Sequence, residues 1–143
     1  MFRKILLATD GSEPSKRALQ AVIELGKAFR SEVLVFHVNE KGQHSRMEFE
    51  EDAVTFRWES ERNSQVLVDE AAQALRDAGV QVSTQVLGKF DSVATEIAEV
   101  AKQFNADVVV MGSTGRSAVA AALLGSVAQR VVHESGLPVL IVR

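Results

Sequence analysis

Three glycines and a serine stand at a fixed spacing late in the chain, Gly112-x2-Gly115-x9-Gly125-Ser126. They lie between a strand-like run, residues 107–111, and a helix-like run that opens at Ser126 and Val127. This combination suits anion binding. Glycines let backbone N–H groups approach an anion closely, and a helix N-terminus supplies unpaired donors with a partial positive charge. With glycine at ~7% and serine plus threonine at roughly one residue in eight, the spacing arises by chance in under ~1% of chains this long. Arg116 can add positive charge, and the Ser113 and Ser117 hydroxyls can add donors. Two commoner phosphate motifs are absent. Gly11 stands alone after the first apolar run, so there is no G-x-G-x-x-G, and no Gly-Lys-Ser/Thr closes a P-loop.

A second short loop has unusual composition: Thr9-Asp10-Gly11-Ser12, directly after the apolar run of residues 4–9. A continuous apolar run of this kind suits a parallel strand covered on both faces. Ser12-Glu13-Pro14 then reads as a helix start, with a capping hydroxyl, an acid and a proline in the first turn. Ala18, Val22, Leu25 and Phe29 form the apolar stripe of that helix. Residues 32–38 are a second buried strand. Residues 43–63 are strongly charged and read as an exposed loop turning into a helix, in which Trp58 is either solvated or an interface anchor. Leu67, Ala71, Ala74, Leu75 and Ala78 make the stripe of that helix, closed by Gly79.

Residues 80–87 alternate only partly, as an outer strand does. After a connection at residues 88–91, a helix capped by Asp91 or Ser92 carries Val93, Ile97, Val100, Ala101 and Phe104 on one face. Residues 107–111 are the fourth strand, residues 126–134 the last helix and residues 139–142 the last strand. Pro138 at the start of that strand points to the sheet edge. The alternation predicts an α/β fold: a doubly wound, Rossmann-like, five-stranded parallel sheet with helices on both faces, in one domain spanning residues 1–143. In the strand order 3-2-1-4-5 the two unusual loops meet at the switch point, where open α/β sheets bind ligands.

Composition narrows the partners. A net charge of -3 and a pI near 5.6 leave no basic footprint for nucleic acid or anionic membrane. The longest apolar run, residues 118–124, is too short to span a bilayer, and the N-terminus does not read as a signal peptide. The absence of cysteine removes thiolate chemistry and disulfides, and it fits a cytoplasmic location. His37, in a buried strand, reads as a hydrogen-bonded core residue. His44 and His133 have no partner at metal-ligand spacing, so no protein metal site and no catalytic residue is assigned.

The chain resembles the universal stress proteins of the single-domain, nucleotide-binding kind, whose fold is that of the adenine nucleotide α-hydrolases. The resemblance runs over essentially the whole chain: residues 5–12, Phe36-His37-Val38, residues 106–113, Leu123-Leu124-Gly125-Ser126-Val127 and residues 138–142. In that family G-x2-G-x9-G-S/T is the ATP-binding signature, and every fixed position is present. The connection at residues 88–93 departs from the pattern, because many members have a proline soon after the glycine. The charged residues 43–63 depart as well, in a region the family varies.

The resemblance implies that ATP is bound; with no protein metal site assigned, any Mg²⁺ would be held mainly by the ligand's phosphates. Gly112, Gly115, Gly125 and Ser126 would cradle the phosphates, and Asp10 and Val38 would line the adenosine pocket with Ala8 and Thr9 beside them. Ser12, Met111, Ser113, Arg116 and Val127 complete the expected binding set. The resemblance also implies homodimers, and the apolar edge strand Val139–Val142 is the expected interface.

Three functions compete. The first is a regulatory, stress-response module that holds ATP. The alternative is an enzyme using the same pocket, a slow ATPase or a nucleotidyl or phosphoryl transferase. The third is a dimeric interaction protein with a vestigial pocket. No general base, Walker-type lysine or carboxylate cluster for Mg²⁺ accompanies the loop, which favours the first over the second. The complete glycine signature disfavours the third.

Overall fold

The computed structural model describes residues 1–40, 50–115 and 124–143, and for residues 50–60 only the backbone. In chain order the elements are β1 (Lys4–Ala8), α1 (Glu13–Phe29), β2 (Glu32–Asn39), α2 (Glu50–Asp77), β3 (Gln81–Gly88), α3 (Val93–Phe104), β4 (Val108–Gly112), α4 (Ser126–Ser135) and β5 (Val139–Val142). The strands form one parallel sheet in the order β3-β2-β1-β4-β5, as the alternation of elements predicts. β1 sits at the centre, with Leu6 beside Leu34 of β2 and Val109 of β4.

The period of two along each strand divides the core into two layers. Leu6, Leu34, Phe36 and Val109 pack beneath α3 and α4 with Ile97, Ala101 and Val131. Ile5, Leu7, Val33, Val35, Val108 and Val110 pack beneath α1 and α2 with Val22, Val68 and Leu75. Both faces of the central strands are therefore buried, which is why their sequences read as continuous apolar runs. β3 and β5 are the edges and are only partly covered. No helix among the described residues is long and apolar enough to cross a membrane.

The helix faces differ from the expected stripes. α1 buries Ser15, Ala18, Val22 and Gly26, and Phe29 is left 47% exposed. Small residues fill this buried face, and at Gly26 the space is closed by the α2–β3 connection: a Cβ there would meet Val80 Cγ1, just before β3, at 2.8 Å. On α2 the deeply buried residues are Ser64, Val68, Ala71, Ala72 and Leu75, while Leu67 and Ala74 sit at the flanks. α2 is already helical from Glu50, so much of the charged stretch is helix rather than loop. Residues 41–49 lie outside the described residues, and so does the Trp58 side chain.

α3 buries one acid, Glu96, at 8% exposure. Its carboxylate accepts the Phe90 N–H at 3.1 Å and the Asp91 N–H at 3.2 Å. These bonds fasten the β3–α3 connection, leaving Phe90 91% exposed beyond it.

Candidate functional site

Both loops at the switch point are built by short-range hydrogen bonding. Asp10 Oδ1 accepts the Ser12 N–H at 3.0 Å and the Ser15 hydroxyl at 2.7 Å, and Ser15 Oγ accepts the Asp10 N–H at 3.2 Å. Ser12 is the N-cap of α1, its Oγ accepting from Ser15 N at 3.4 Å. Asp10 thus has the turn-forming role that its place before a glycine permits. Its second oxygen looks across the cleft: a Cβ on Gly115 would lie 2.6 Å from Asp10 Oδ2. Any side chain at 115 would displace that carboxylate.

Gly112 is a glycine for a different reason. A Cβ there would meet Pro14 Cβ at 2.7 Å, the Pro14 carbonyl carbon at 2.8 Å and Ser15 N at 2.9 Å. The end of β4 and the first turn of α1 are in backbone contact, and this contact draws the two loops together.

The Gly125 N–H donates to Ser113 O at 2.7 Å, folding the start of α4 back onto the end of β4. α4 differs from the other two helices whose caps are described. α1 and α3 begin with serine hydroxyls that cap their first turns, and each carries an acid there, Glu13 and Glu96. Gly125 is the N-cap of α4, with no side-chain cap bond and no acid in the first turn. The first N–H groups of a helix have no partner within it. At α4 they open into a cleft with the positive end of the helix dipole behind them.

That cleft encloses about 670 Å³ along the carboxyl ends of β2, β1 and β4, within the range of small-molecule sites (roughly 300–1,000 Å³). Ala8, Thr9, Asp10, Val38, Met111, Gly112, Ser113, Gly115, Gly125, Ser126 and Val127 all line it, so one surface gathers eleven of the thirteen residues expected from the sequence. Ser12 stands apart, engaged as the α1 cap. Arg116 lies outside the described residues, as does Ser117.

Several lining residues were not expected. Val93 and Ile97 serve the α3 stripe and the cleft together. His37 is half-buried, its Nδ1–H donating to Thr9 O at 2.8 Å, and its place beside Val38 at the end of β2 was the available signal. Asn63, Ser64 and Leu67 of α2 close the far wall, although nothing in their local sequence marks them. Glu40 reaches the rim, where it pairs with Lys89 at 3.6 Å. No group of three His, Cys, Asp or Glu among the described residues could hold a metal ion.

The chain matches the universal stress protein family over residues 1–143. A universal stress protein of Methanocaldococcus jannaschii is 33% identical over 150 residues, covering 100% of this chain and 83% of the relative. A structure from the same organism, of a hypothetical protein whose biochemical function was assigned from structure, superimposes with a TM-score of 0.83. It is 29% identical and covers 99% of this chain and 96% of its own. Two more distant structures share the fold. One is a universal stress protein in complex with cAMP, at TM-score 0.72 and 23% identity, covering 99% of this chain and 96% of its own. The other is a universal stress protein from Archaeoglobus fulgidus in complex with dAMP, at TM-score 0.70 and 19% identity, covering 100% of both chains.

Proposed function

Because this chain belongs to the universal stress protein family, we propose that it binds ATP in the switch-point cleft as a regulatory, stress-response module. The uncapped, acid-free N-terminus of α4, opening beside Gly115, carries this reading. Relatives solved with cAMP and dAMP support an adenine nucleotide as ligand. The complete G-x2-G-x9-G-S signature favours the triphosphate.

The residues present fit that ligand. Gly115 and Gly125 leave room where a Cβ would crowd Asp10 or the Ser113 carbonyl. The first backbone N–H groups of α4, at Ser126 and Val127, line the cleft and offer donors to phosphate oxygens. Val38, Val93 and Ile97 offer apolar surface to a base, and Asp10 offers a carboxylate to a ribose hydroxyl or an amino group. Any Mg²⁺ would arrive with the phosphates and be held mainly by them.

The cleft favours holding over cutting. Of its two described carboxylates, Asp10 is committed to Ser12 and Ser15, and Glu40 is paired at the rim. Neither is poised as a general base for water. Single-turnover hydrolysis of labelled ATP separates the two roles: product at background supports the module, whereas rapid product formation that Gly115→Ala abolishes establishes the enzyme. A cytoplasmic homodimer paired through β5 belongs to the same proposal, because β5 is an edge strand whose Leu140 is 39% exposed. Mass spectrometry of the natively purified protein tests the ligand directly. A co-purifying adenine nucleotide is expected, and a ligand of another class overturns the assignment.

A further inference from the structure

α2 carries a hydroxyl that the fold does not account for. Ser64 is 5% exposed, yet it makes no hydrogen bond among the described residues. The other buried serines do: Ser15 bonds Asp10, Ser31 bonds the Phe2 carbonyl, and Ser135 accepts from Leu137 N–H. No side-chain nitrogen or oxygen among the described residues is both sealed from solvent and unpaired. The Ser64 Oγ must therefore reach the free volume of the cleft, whose wall Ser64 helps to form. Alanine is the better helix former and carries no polar group to desolvate, so packing alone does not call for serine here.

The position of Ser64 relative to the α4 N-terminus indicates what meets it. α2 packs on β2 and β3, whereas the uncapped helix start follows β4. In the order β3-β2-β1-β4-β5, β2 is two places from β4, or about 10 Å at the ~4.8 Å spacing of neighbouring strands. A nucleotide with its phosphates at α4 therefore presents its base to the β2 side. The base edge remote from the sugar then faces α2.

We propose that Ser64 is a specificity-determining residue of this cleft, its hydroxyl hydrogen-bonding the polar substituent at position 6 of a purine. The proposal rests on the nucleotide-binding reading above. A hydroxyl both donates and accepts, so the site takes 6-amino and 6-oxo purine nucleotides and disfavours a purine bearing only hydrogen at that position.

The test is calorimetric titration of the full chain with ATP and with purine riboside triphosphate, which lacks the 6-amino group. The wild-type protein should bind ATP about 3- to 10-fold more tightly, the effect of one net hydrogen bond. Ser64→Ala should lose that factor for ATP and keep the wild-type affinity for the 6-hydrogen analogue, so that the two nucleotides bind alike. Ser64→Cys, of nearly the same volume, should behave as the alanine variant does, and Ser64→Thr should restore the preference. Equal binding of the two nucleotides by the wild type overturns the proposal without any variant. Equal loss for both nucleotides in Ser64→Ala overturns it too, because that is the signature of packing. If the wild type binds ATP and Ser64→Ala binds it equally well, only this inference fails. If the wild type binds neither nucleotide, the nucleotide-binding function fails with it.

Discussion

Alanine at position 112 should destabilise the protein more than alanine at 115, although both glycines belong to the proposed phosphate cradle. The Gly112 Cβ would enter within 3.0 Å of three atoms of α1: Pro14 Cβ at 2.7 Å, Pro14 C at 2.8 Å and Ser15 N at 2.9 Å. Two of these are backbone, so relief requires the first turn of α1 to move off the sheet. Overpacking of this kind costs ~1–3 kcal/mol, and the loss of glycine's unfolded-state freedom returns ~0.4–1 kcal/mol. The net is a loss of about 1.3 kcal/mol, or ~4 °C in Tm at roughly 3 °C per kcal/mol for a chain of this size. At position 115 the obstacle is a single side-chain oxygen, Asp10 Oδ2 at 2.6 Å. The carboxylate can swing aside, so the Tm should fall by less than ~2 °C. Nucleotide affinity should fall about tenfold as Asp10 leaves its place and the Cβ fills the cradle. Thermal melts followed by far-ultraviolet circular dichroism without nucleotide, then calorimetric titration, measure both effects. A Gly112→Ala protein melting within ~1 °C of wild type, or a Gly115→Ala protein falling as far as Gly112→Ala, would refute the division of roles.

Three further outcomes are expected. Glu96→Ala leaves the Phe90 and Asp91 N–H groups without their acceptor, and urea denaturation should show a loss of ~1–3 kcal/mol. The Glu134 carboxyl is held below its ordinary value by the Thr95 hydroxyl and then by Arg130 at 2.7 Å. A carboxyl lowered in the folded state adds stability above its unfolded value of 4.5 and loses it as pH falls through the lower folded one. Thermal melts at decreasing pH should therefore show a shallower acid-side decline in Glu134→Gln than in wild type. Light scattering should give about 31 kDa, twice the 15.5 kDa chain, and Leu140→Lys at the β5 edge should give the monomer mass.

Much of this fold is legible in the sequence because a doubly wound sheet writes itself plainly. Buried central strands such as residues 5–8 and 108–111 read as unbroken apolar runs, and Ser12-Glu13-Pro14 marks a helix start that the Ser12 cap realises. Topology then brings residues 9–12 and 112–115 together, about a hundred positions apart, at one switch point. The helix faces were less legible, because apolarity does not report distance. α1 turns Ser15 and Gly26 inward where a stripe of large residues suggests Leu25 and Phe29, since close approach favours small side chains. The α2 wall of the cleft was hidden for a related reason. Asn63 and Ser64 sit at the end of the charged segment, and the position of that helix over β2 brings them to the site. Gly112 was legible as a needed glycine, but its reason was not. The signature marks it as part of a phosphate cradle, and the structure adds a second demand, the contact with Pro14.

In the proposed function the α4 N-terminus and the facing Asp10 loop form a site for ATP. Titration of the purified, nucleotide-free protein with ATP, followed by calorimetry, tests it most directly. One site per chain is expected, with a dissociation constant in the micromolar range, corresponding to roughly -8 kcal/mol. A folded protein that shows no saturable binding up to millimolar ATP would contradict it.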